Sequence, residues 1–413
     1  MKKILLAAVA LLTSAAGMAQ TEIVKINPQV KKQAVSLKNI RGVKLSPDMK
    51  LAPATRAAAK AMPEGEQREF FRYSYDYIYS ISDDTQRLFM RADKDTLVYG
   101  SDGTVYIPNS MYTSMLPQVY LEGTLSADGT TLSVPAGQSL GTLEGYDMYL
   151  YKVQFTDNGQ ANLIETPIEY TVDANYGVLQ QVSEGEEGIY PALVGIQGQN
   201  AALLTYSDMY TYIPVTEQLF AQPVQRTLTC EYTNSAGQVS NVTATVEDYD
   251  APVVNGRFMK GFFYDNPESW AIGIYDESGN LVFVPQIPAD ECVVVPGENT
   301  ATGTNIDFGG QAAFTSGADG SYSYTGALFN VFYYAGDNVN APGLYMNGAY
   351  ENISLSAPTP AGIGGVEVSD NGEAVATEYY DLSGRRVNSA DKGVNIVVKK
   401  YADGTKKAVK VIK

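Results

Sequence analysis

The sequence predicts an all-β protein with two related β-sandwich-like modules followed by a small C-terminal β-sandwich domain. Short alternating runs, frequent turn dipeptides and one internal repeat support this prediction. In runs such as YLYKVQF at 149–155, side chains of one character recur at every second position, which is the period of a β-strand. The body of the chain shows no sustained helical period.

Asp-Gly and Asn-Gly pairs divide the body into short segments. These residue types tolerate the positive φ that a two-residue hairpin turn requires. The pairs occur at 102–103, 128–129, 158–159, 255–256, 319–320, 347–348 and 403–404. Short strands between such turns are typical of sandwich-like all-β folds.

The internal repeat aligns segments 120–135 and 270–285 without a gap. Gly123 matches Gly273 in this alignment, both segments end in Val-Pro, and Gln138 or Gln286 follows close behind. A shared strand, turn and strand explain the pattern, with the Pro ending the returning strand. The alternative is that the glycines let a ligand approach the backbone. The repeat predicts module 1 at 64–222 and module 2 at 223–356.

Composition excludes several classes of function. The chain has no histidine, which rules out Ser-His-Asp and Cys-His catalysis and histidine-ligated metals. Residues 63–375 hold 9 Lys or Arg against 40 Asp or Glu, a net charge of −31. Such an acidic body argues against nucleic acid as a partner and fits a soluble exported protein.

The N-terminus predicts export. Two lysines precede a nine-residue apolar stretch from Ile4 to Leu12, and small residues lead up to Ala19. This pattern predicts a signal peptide at 1–19 that is cleaved after Ala19. No later stretch is apolar for long enough to predict a transmembrane segment. Residues 20–62 hold nine basic and two acidic residues without alternation, which predicts a flexible basic leader.

An aromatic stripe opens the first module. Alternation places Tyr73, Tyr75, Tyr77 and Tyr79 on one face of a strand. One hypothesis is that these rings stack on a glycan, as in a carbohydrate-binding module. The alternative is that they pack against another sheet.

Two acidic clusters are candidate calcium sites, since carboxylates on loops suit a hard cation. They comprise Asp93 and Asp95, and Glu247, Asp248 and Asp250. No other cofactor is predicted.

The two cysteines, Cys230 and Cys292, either form a disulfide in an exported protein or remain two buried thiols.

No catalytic motif appears. The body lacks a phosphate-binding loop, and none of its lysines stands in a Ser-x-x-Lys context. A cryptic glycoside hydrolase with a carboxylate pair remains the enzymatic alternative, because the many acidic residues single out no pair. The sequence therefore favours a non-enzymatic role.

The C-terminal region begins with a Pro/Gly linker at 357–365 and continues as a basic domain at 366–413. Its motif residues are Tyr380, Leu382, Gly384, Gly393, Ile396, Asp403 and Gly404. These residues resemble the C-terminal sorting domain of Bacteroidetes proteins exported by the type IX secretion system. The internal repeat likewise resembles a β domain of secreted Bacteroidales proteins of uncharacterised role. The first resemblance implies that the domain is recognised by secretion machinery.

Together these features predict an exported, non-catalytic protein at the cell surface or secreted from the cell. Adhesion or ligand binding is the expected role, with a glycan or a host or cell-surface ligand as the partner. A carbohydrate-binding module, a hydrolase and a stalk without a ligand are the alternatives.

Overall fold

A computed structural model shows an all-β chain, which confirms the predicted fold class. It describes residues 21–24, 43–44, 62–80, 85–111, 116–156, 161–289, 292–300, 303–334, 340, 343–360, 376–380, 386–387, 394–400 and 406–412. The chain divides into two compact units, Met1–Thr359 and Pro360–Lys413. The boundary falls inside the predicted linker. No α-helix occurs in the described ranges, and the helical turns there are two short 3-10 turns, Gly185–Glu187 and Pro252–Val254.

The strands of the leader and of the first module are β1 (Thr21–Val24), β2 (Val43–Lys44), β3 (Glu66–Ser80), β4 (Thr85–Tyr99), β5 (Thr104–Pro108), β6 (Tyr120–Leu125), β7 (Thr131–Val134), β8 (Gln138–Leu143), β9 (Tyr146–Phe155), β10 (Ala161–Ile164), β11 (Ile168–Val172), β12 (Leu179–Gln181), β13 (Ile189–Gln197) and β14 (Asn200–Pro214).

The second module and the C-terminal unit contain β15 (Val224–Asn234), β16 (Val239–Ala251), β17 (Gly256–Lys260), β18 (Trp270–Tyr275), β19 (Leu281–Phe283), β20 (Gln286–Ala289), β21 (Cys292–Thr300), β22 (Gly303–Asp307), β23 (Ala312–Ser316), β24 (Tyr322–Tyr334), β25 (Gly343–Leu355), β26 (Thr359–Pro360), β27 (Ala376–Tyr380), β28 (Arg386–Val387), β29 (Val394–Lys400) and β30 (Lys406–Ile412).

Each module closes its strands into a ring. In the first ring the antiparallel order is β3, β4, β5, β6, β7, β11, β12 and β14, and β14 pairs back to β3. In the second it is β15, β16, β17, β18, β19, β23, β24 and β25, and β25 pairs back to β15. The two modules therefore share one topology, and the pairing is more closed than the sandwich-like modules that the sequence suggested.

The internal repeat is real, but its ungapped alignment is wrong after the turn. Leu125 pairs with Leu132 in the first module, while Tyr275 pairs with Leu281 in the second. Gly123 and Gly273 match, so the second module has one residue fewer across the turn. Leu281 is therefore the counterpart of Leu132.

The two rings share a hydrophobic core. The Phe71 ring of β3 stacks on Phe258 of β17 with centroids 4.5 Å apart, and it meets the edge of Trp270 at 4.8 Å. Strand β4 also pairs with β18 and β20 of the second module. The first unit is thus one continuous body around this cluster.

The leader contributes two short strands that the sequence did not predict. Strand β1 pairs antiparallel with β22, and β2 pairs parallel with β10. Strands β10 and β22 hold the same place in their modules, since each pairs with the strand that precedes it, β9 or β21. The leader thus adds one strand to the corresponding edge of each module. These added strands pair with backbone groups of β10 and β22 that would otherwise be unpaired.

Most of the predicted turns within the described ranges are found, with two differences. At 255–256, Asn255 adopts positive φ at the end of the 3-10 turn Pro252–Val254, but Gly256 is the first residue of β17. Gly103, Gly129 and Gly320 adopt positive φ, as a tight turn requires. The pair at 347–348, in contrast, lies inside β25. There Gly348 packs under the Tyr232 ring, and a Cβ at this position would come within 2.4 Å of the Tyr232 hydroxyl. Close packing explains this glycine. The pairs at 158–159 and 403–404 lie outside the described residues.

The C-terminal unit is a four-stranded antiparallel sheet in the order β28, β27, β29 and β30. The predicted motif places Tyr380 at the end of β27 and Ile396 within β29. These two residues are directly paired across the strands. Leu382, Gly384, Gly393, Asp403 and Gly404 lie outside the described residues.

Candidate ligand-binding site

A cavity of about 350 Å³ opens at one end of the first ring. All eight strands of the ring contribute to its wall, which places it at the mouth of the ring. The lining residues are Arg68, Phe70, Tyr99, Val105, Leu125, Leu132, Val172, Tyr176, Gly177, Leu179, Pro214 and Thr216. Its volume lies within the range of small-molecule sites, and an eight-stranded ring is wide enough to hold one small ligand.

The wall of the cavity is mainly apolar. Val105 and Leu179 are 1% exposed and Leu132 is fully buried, so these side chains belong to the core of the first ring. Protein interiors are normally packed with few voids larger than a water molecule. A space of this size among apolar side chains is therefore a candidate site for a small ligand.

In the second ring, larger side chains stand at the corresponding positions. Val105 pairs with Gly123 in the first ring, and Arg257 pairs with Gly273 in the second. Val105 and Arg257 therefore occupy corresponding positions. Leu125 corresponds to Tyr275, because they pair with the equivalent residues Leu132 and Leu281. Following the pairing on to the next two strands of each ring shows that Leu179 corresponds to Tyr322. Three larger polar side chains thus replace three smaller apolar ones.

These three side chains fill the end of the second ring as a bonded group. Arg257 donates from Nη1 to the Tyr275 hydroxyl at 2.8 Å, and the hydroxyls of Tyr275 and Tyr322 are 2.9 Å apart. The Arg226 guanidinium lies over the Tyr322 ring at 4.9 Å. Burial raises the pKa of Tyr275 well above its ordinary value. The contrast shows that the fold can close this end of a ring with side chains, and that the first ring does not.

A charged pair lies at the mouth of the cavity. Arg68 donates from Nε and Nη2 to the two carboxylate oxygens of Glu66, at 2.8 and 2.7 Å. The Arg68 guanidinium also lies 4.3 Å from the centre of the Tyr99 ring. Arg68 lowers the pKa of Glu66 through this hydrogen bond.

An outer groove of about 540 Å³ continues from this mouth. It is lined by Glu64, Gly65, Glu66, Arg68, Tyr99, Gly100 and Ser101. Arg68 and Tyr99 line both spaces, so the apolar cavity and the polar groove adjoin at this stacked pair.

The predicted tyrosine stripe does not form a binding surface where the structure describes it. Tyr73 and Tyr75 are 1% and 5% exposed and pack with Phe71 in the core that the two rings share. Buried rings cannot present a face to a sugar, so the glycan hypothesis is wrong for these two residues. Tyr77 and Tyr79 belong to β3, but their side chains lie outside the described residues.

The first acidic cluster is paired with an arginine of the protein itself. Arg72, which is 1% exposed, donates from Nε to Asp95 at 2.6 Å and contacts Asp93 at 3.4 Å. Burial alone would lower the pKa of Arg72, but the two carboxylates raise it above its ordinary value. Arg72 is therefore charged and supplies the positive charge that the sequence assigned to calcium.

The second acidic cluster is paired in the same way. Asp248 is fully buried and accepts hydrogen bonds from Arg226 and Arg257, and Asp250 contacts Arg257 at 3.4 Å. Glu247 accepts a hydrogen bond from the Tyr249 hydroxyl at 2.8 Å. Across the described residues, no group of three or more Cys, Asp or Glu side chains is placed to hold a metal ion. The structure thus gives Asp248 and Asp250 arginine partners, and Glu247 a tyrosine partner, where the sequence suggested a cation.

No disulfide joins the two cysteines. Cys230 and Cys292 are both buried, and they lie in different hydrophobic clusters. The alternative of two buried thiols is the one that the structure shows.

The predicted signal peptide lies outside the described residues. Within the described part of the chain, no helix is long and apolar enough to cross a membrane.

Sequence reasoning missed the cavity residues. The repeat alignment already matched Leu125 with Tyr275, so the difference in side-chain size was visible in the sequence. The alignment could not show that both side chains point into a ring, so it did not indicate a cavity.

Comparisons with known proteins identify no relative that assigns a function. No family model matches the chain, and no curated protein matches it. A solved structure from Nitrosomonas europaea described as a "putative AttH" covers 74% of this chain and 99% of its own, with 10% identity and a TM-score of 0.17. A TM-score this low supports no inference about the fold or function of this chain.

Proposed function

We propose that this chain is an exported, non-catalytic binding protein whose first module holds a small, largely apolar ligand. The observation that supports this is the cavity at the mouth of the first ring, at positions that Arg257, Tyr275 and Tyr322 fill in the second. Among the roles expected from the sequence, ligand binding is the one that this geometry supports best. The second module then serves as a filled structural partner.

Closing the cavity with the second module's own side chains tests the binding role. The double variant Leu125→Tyr and Leu179→Tyr places at these sites the residues that fill the second ring. Isothermal titration with decanol, an apolar probe, should detect binding to the wild-type chain and at least about tenfold weaker binding to the variant. Val182→Tyr is the matched control, because Val182 is 43% exposed and the added ring stays in solvent. Equal affinity of all three proteins would overturn the proposal.

Export and surface location rest on the N-terminal leader and on the resemblance of the C-terminal residues to a sorting domain. Cell fractionation of the full chain and of a chain lacking residues 378–413 tests this part. We expect the full chain outside the cell or at its surface, and the truncated chain in the periplasm. The same location for both would contradict a sorting role for the tail. The non-catalytic part is tested by incubation with a polysaccharide panel, where turnover would overturn it.

A further inference from the structure

The cavity wall contains a single charged side chain, that of Arg68. All the other lining residues are apolar or neutral. Arg68 also lines the outer groove, and its side chain is 48% exposed, so its guanidinium is accessible to solvent beside the cavity. A ligand with an apolar part in the cavity would therefore place its polar end beside this guanidinium.

The guanidinium already holds a carboxylate. Its Nε and Nη2 groups bind both oxygens of Glu66, which is the two-point geometry that arginine offers to carboxylates. The side chains of Arg68 and Glu66 are 48% and 63% exposed. Exposed ion pairs contribute little to stability, so the pair can open at little cost. The stack on Tyr99 keeps Arg68 in place when Glu66 leaves.

We propose that the ligand is an amphiphile with one carboxylate, whose chain fills the cavity and whose carboxylate replaces that of Glu66 on Arg68. This inference rests on the proposed binding function and names the ligand class of the same site. The acidic residues Glu64 and Glu66 line the groove beside Arg68. Their charge disfavours a ligand that carries a second negative group.

The volume of the cavity sets the size of the chain. At about 30 Å³ for each water-sized group, 350 Å³ holds roughly a dozen such groups. Decanoate has a chain of suitable length, and decanol and decylamine have the same chain with a neutral or a positive end. These three probes separate the contribution of the head group from that of the chain.

The test is isothermal titration of the three probes, at concentrations below their aggregation, into the wild-type chain and two variants. The wild-type chain should bind decanoate about tenfold more tightly than decanol, and decylamine most weakly. Arg68→Gln should remove the preference for decanoate over decanol. Glu66→Gln should increase the preference for decanoate several-fold, because the competing carboxylate is gone.

The outcomes separate the two proposals. If decanol binds as tightly as decanoate to the wild-type chain, or if Arg68→Gln keeps the preference, the carboxylate assignment is wrong and the apolar site stands. If none of the probes binds, both the carboxylate assignment and the proposed binding function are wrong. Urea unfolding of each variant verifies folding.

Discussion

The Gln286 side chain binds both backbone polar groups of Ile272. Its Oε1 accepts from the Ile272 N–H at 2.9 Å, and its Nε2 donates to the Ile272 carbonyl at 2.8 Å. Gln138 binds the backbone of Glu122 in the same way, at 2.7 and 2.8 Å. Both glutamines follow the Val-Pro end of the repeat. In each module the glutamine side chain bonds to the strand backbone as a residue of a neighbouring strand would.

Replacing Gln286 by Leu should destabilise the protein strongly. Ile272 is 1% exposed, and the variant leaves its N–H and carbonyl without their partner in the core. Each buried unsatisfied group costs about 1–3 kcal/mol, so we expect a loss of roughly 2–4 kcal/mol in the free energy of unfolding, measured by urea denaturation. Gln138→Leu is the matched control. Its partner Glu122 is exposed to water, which can take over both hydrogen bonds, so the expected loss is below about 1 kcal/mol. Equal losses would contradict this explanation.

The repeat shows which part of the fold the sequence could predict. The match of segment 120–135 with segment 270–285 predicted two related β modules, because a shared strand, turn and strand explain it. The closure of each ring depends on pairs such as Tyr212 with Arg72, which are about 140 residues apart in sequence. Alternation tells which residues share a face but not which distant strand lies beside it. The sequence could therefore predict the strands better than the ring.

The candidate site depends on the same missing information. Arg68 and Tyr99 look like ordinary strand residues in the sequence, and Leu125 looks like a core residue. Only the ring brings them to one opening. The buried Arg72 also explains a false prediction, since Asp93 and Asp95 appear free in sequence while their partner comes from the neighbouring strand.

Replacing Gly273 by Ala should also destabilise the protein. A Cβ at this position would lie 2.8 Å from the Leu281 side chain and 3.1 Å from the Phe283 ring, both of which are in the core. Overpacking of this kind costs about 1–3 kcal/mol, which urea denaturation can measure. Ser278→Ala in the adjacent exposed turn is the control and should change stability by less than about 0.5 kcal/mol. A neutral Gly273→Ala would show that the site has room, as a ligand-approach role requires.

Removing the Asp248 carboxylate should have a large effect. Asp248→Ala leaves Arg226 and Arg257 without a buried counter-charge, and breaking a buried pair in this way costs about 3–5 kcal/mol. Thermal and urea unfolding both report the loss. Glu268→Ala breaks the exposed pair with Lys260 and should cost at most about 1 kcal/mol. Similar losses for the two variants would show that the buried arginines find other partners.

The Cys230 thiol should be unreactive in the folded protein. Burial raises the pKa of Cys230 from its ordinary value of 9.0 to about 11. At pH 8 the thiolate fraction is then about a hundredfold lower than in the unfolded chain, and the thiolate is the species that reacts. The Cys292→Ala variant makes Cys230 the only thiol, so its reaction with a thiol reagent can be followed with and without urea. We expect reaction at least about a hundredfold slower without urea.

Because the pKa of Cys230 is higher in the folded state, the stability contribution of the thiol is present below pH 9 and is lost as the pH rises through about 11. The wild-type chain should release two thiols in urea without a reductant, and the detection of none would show that the cysteines form a disulfide.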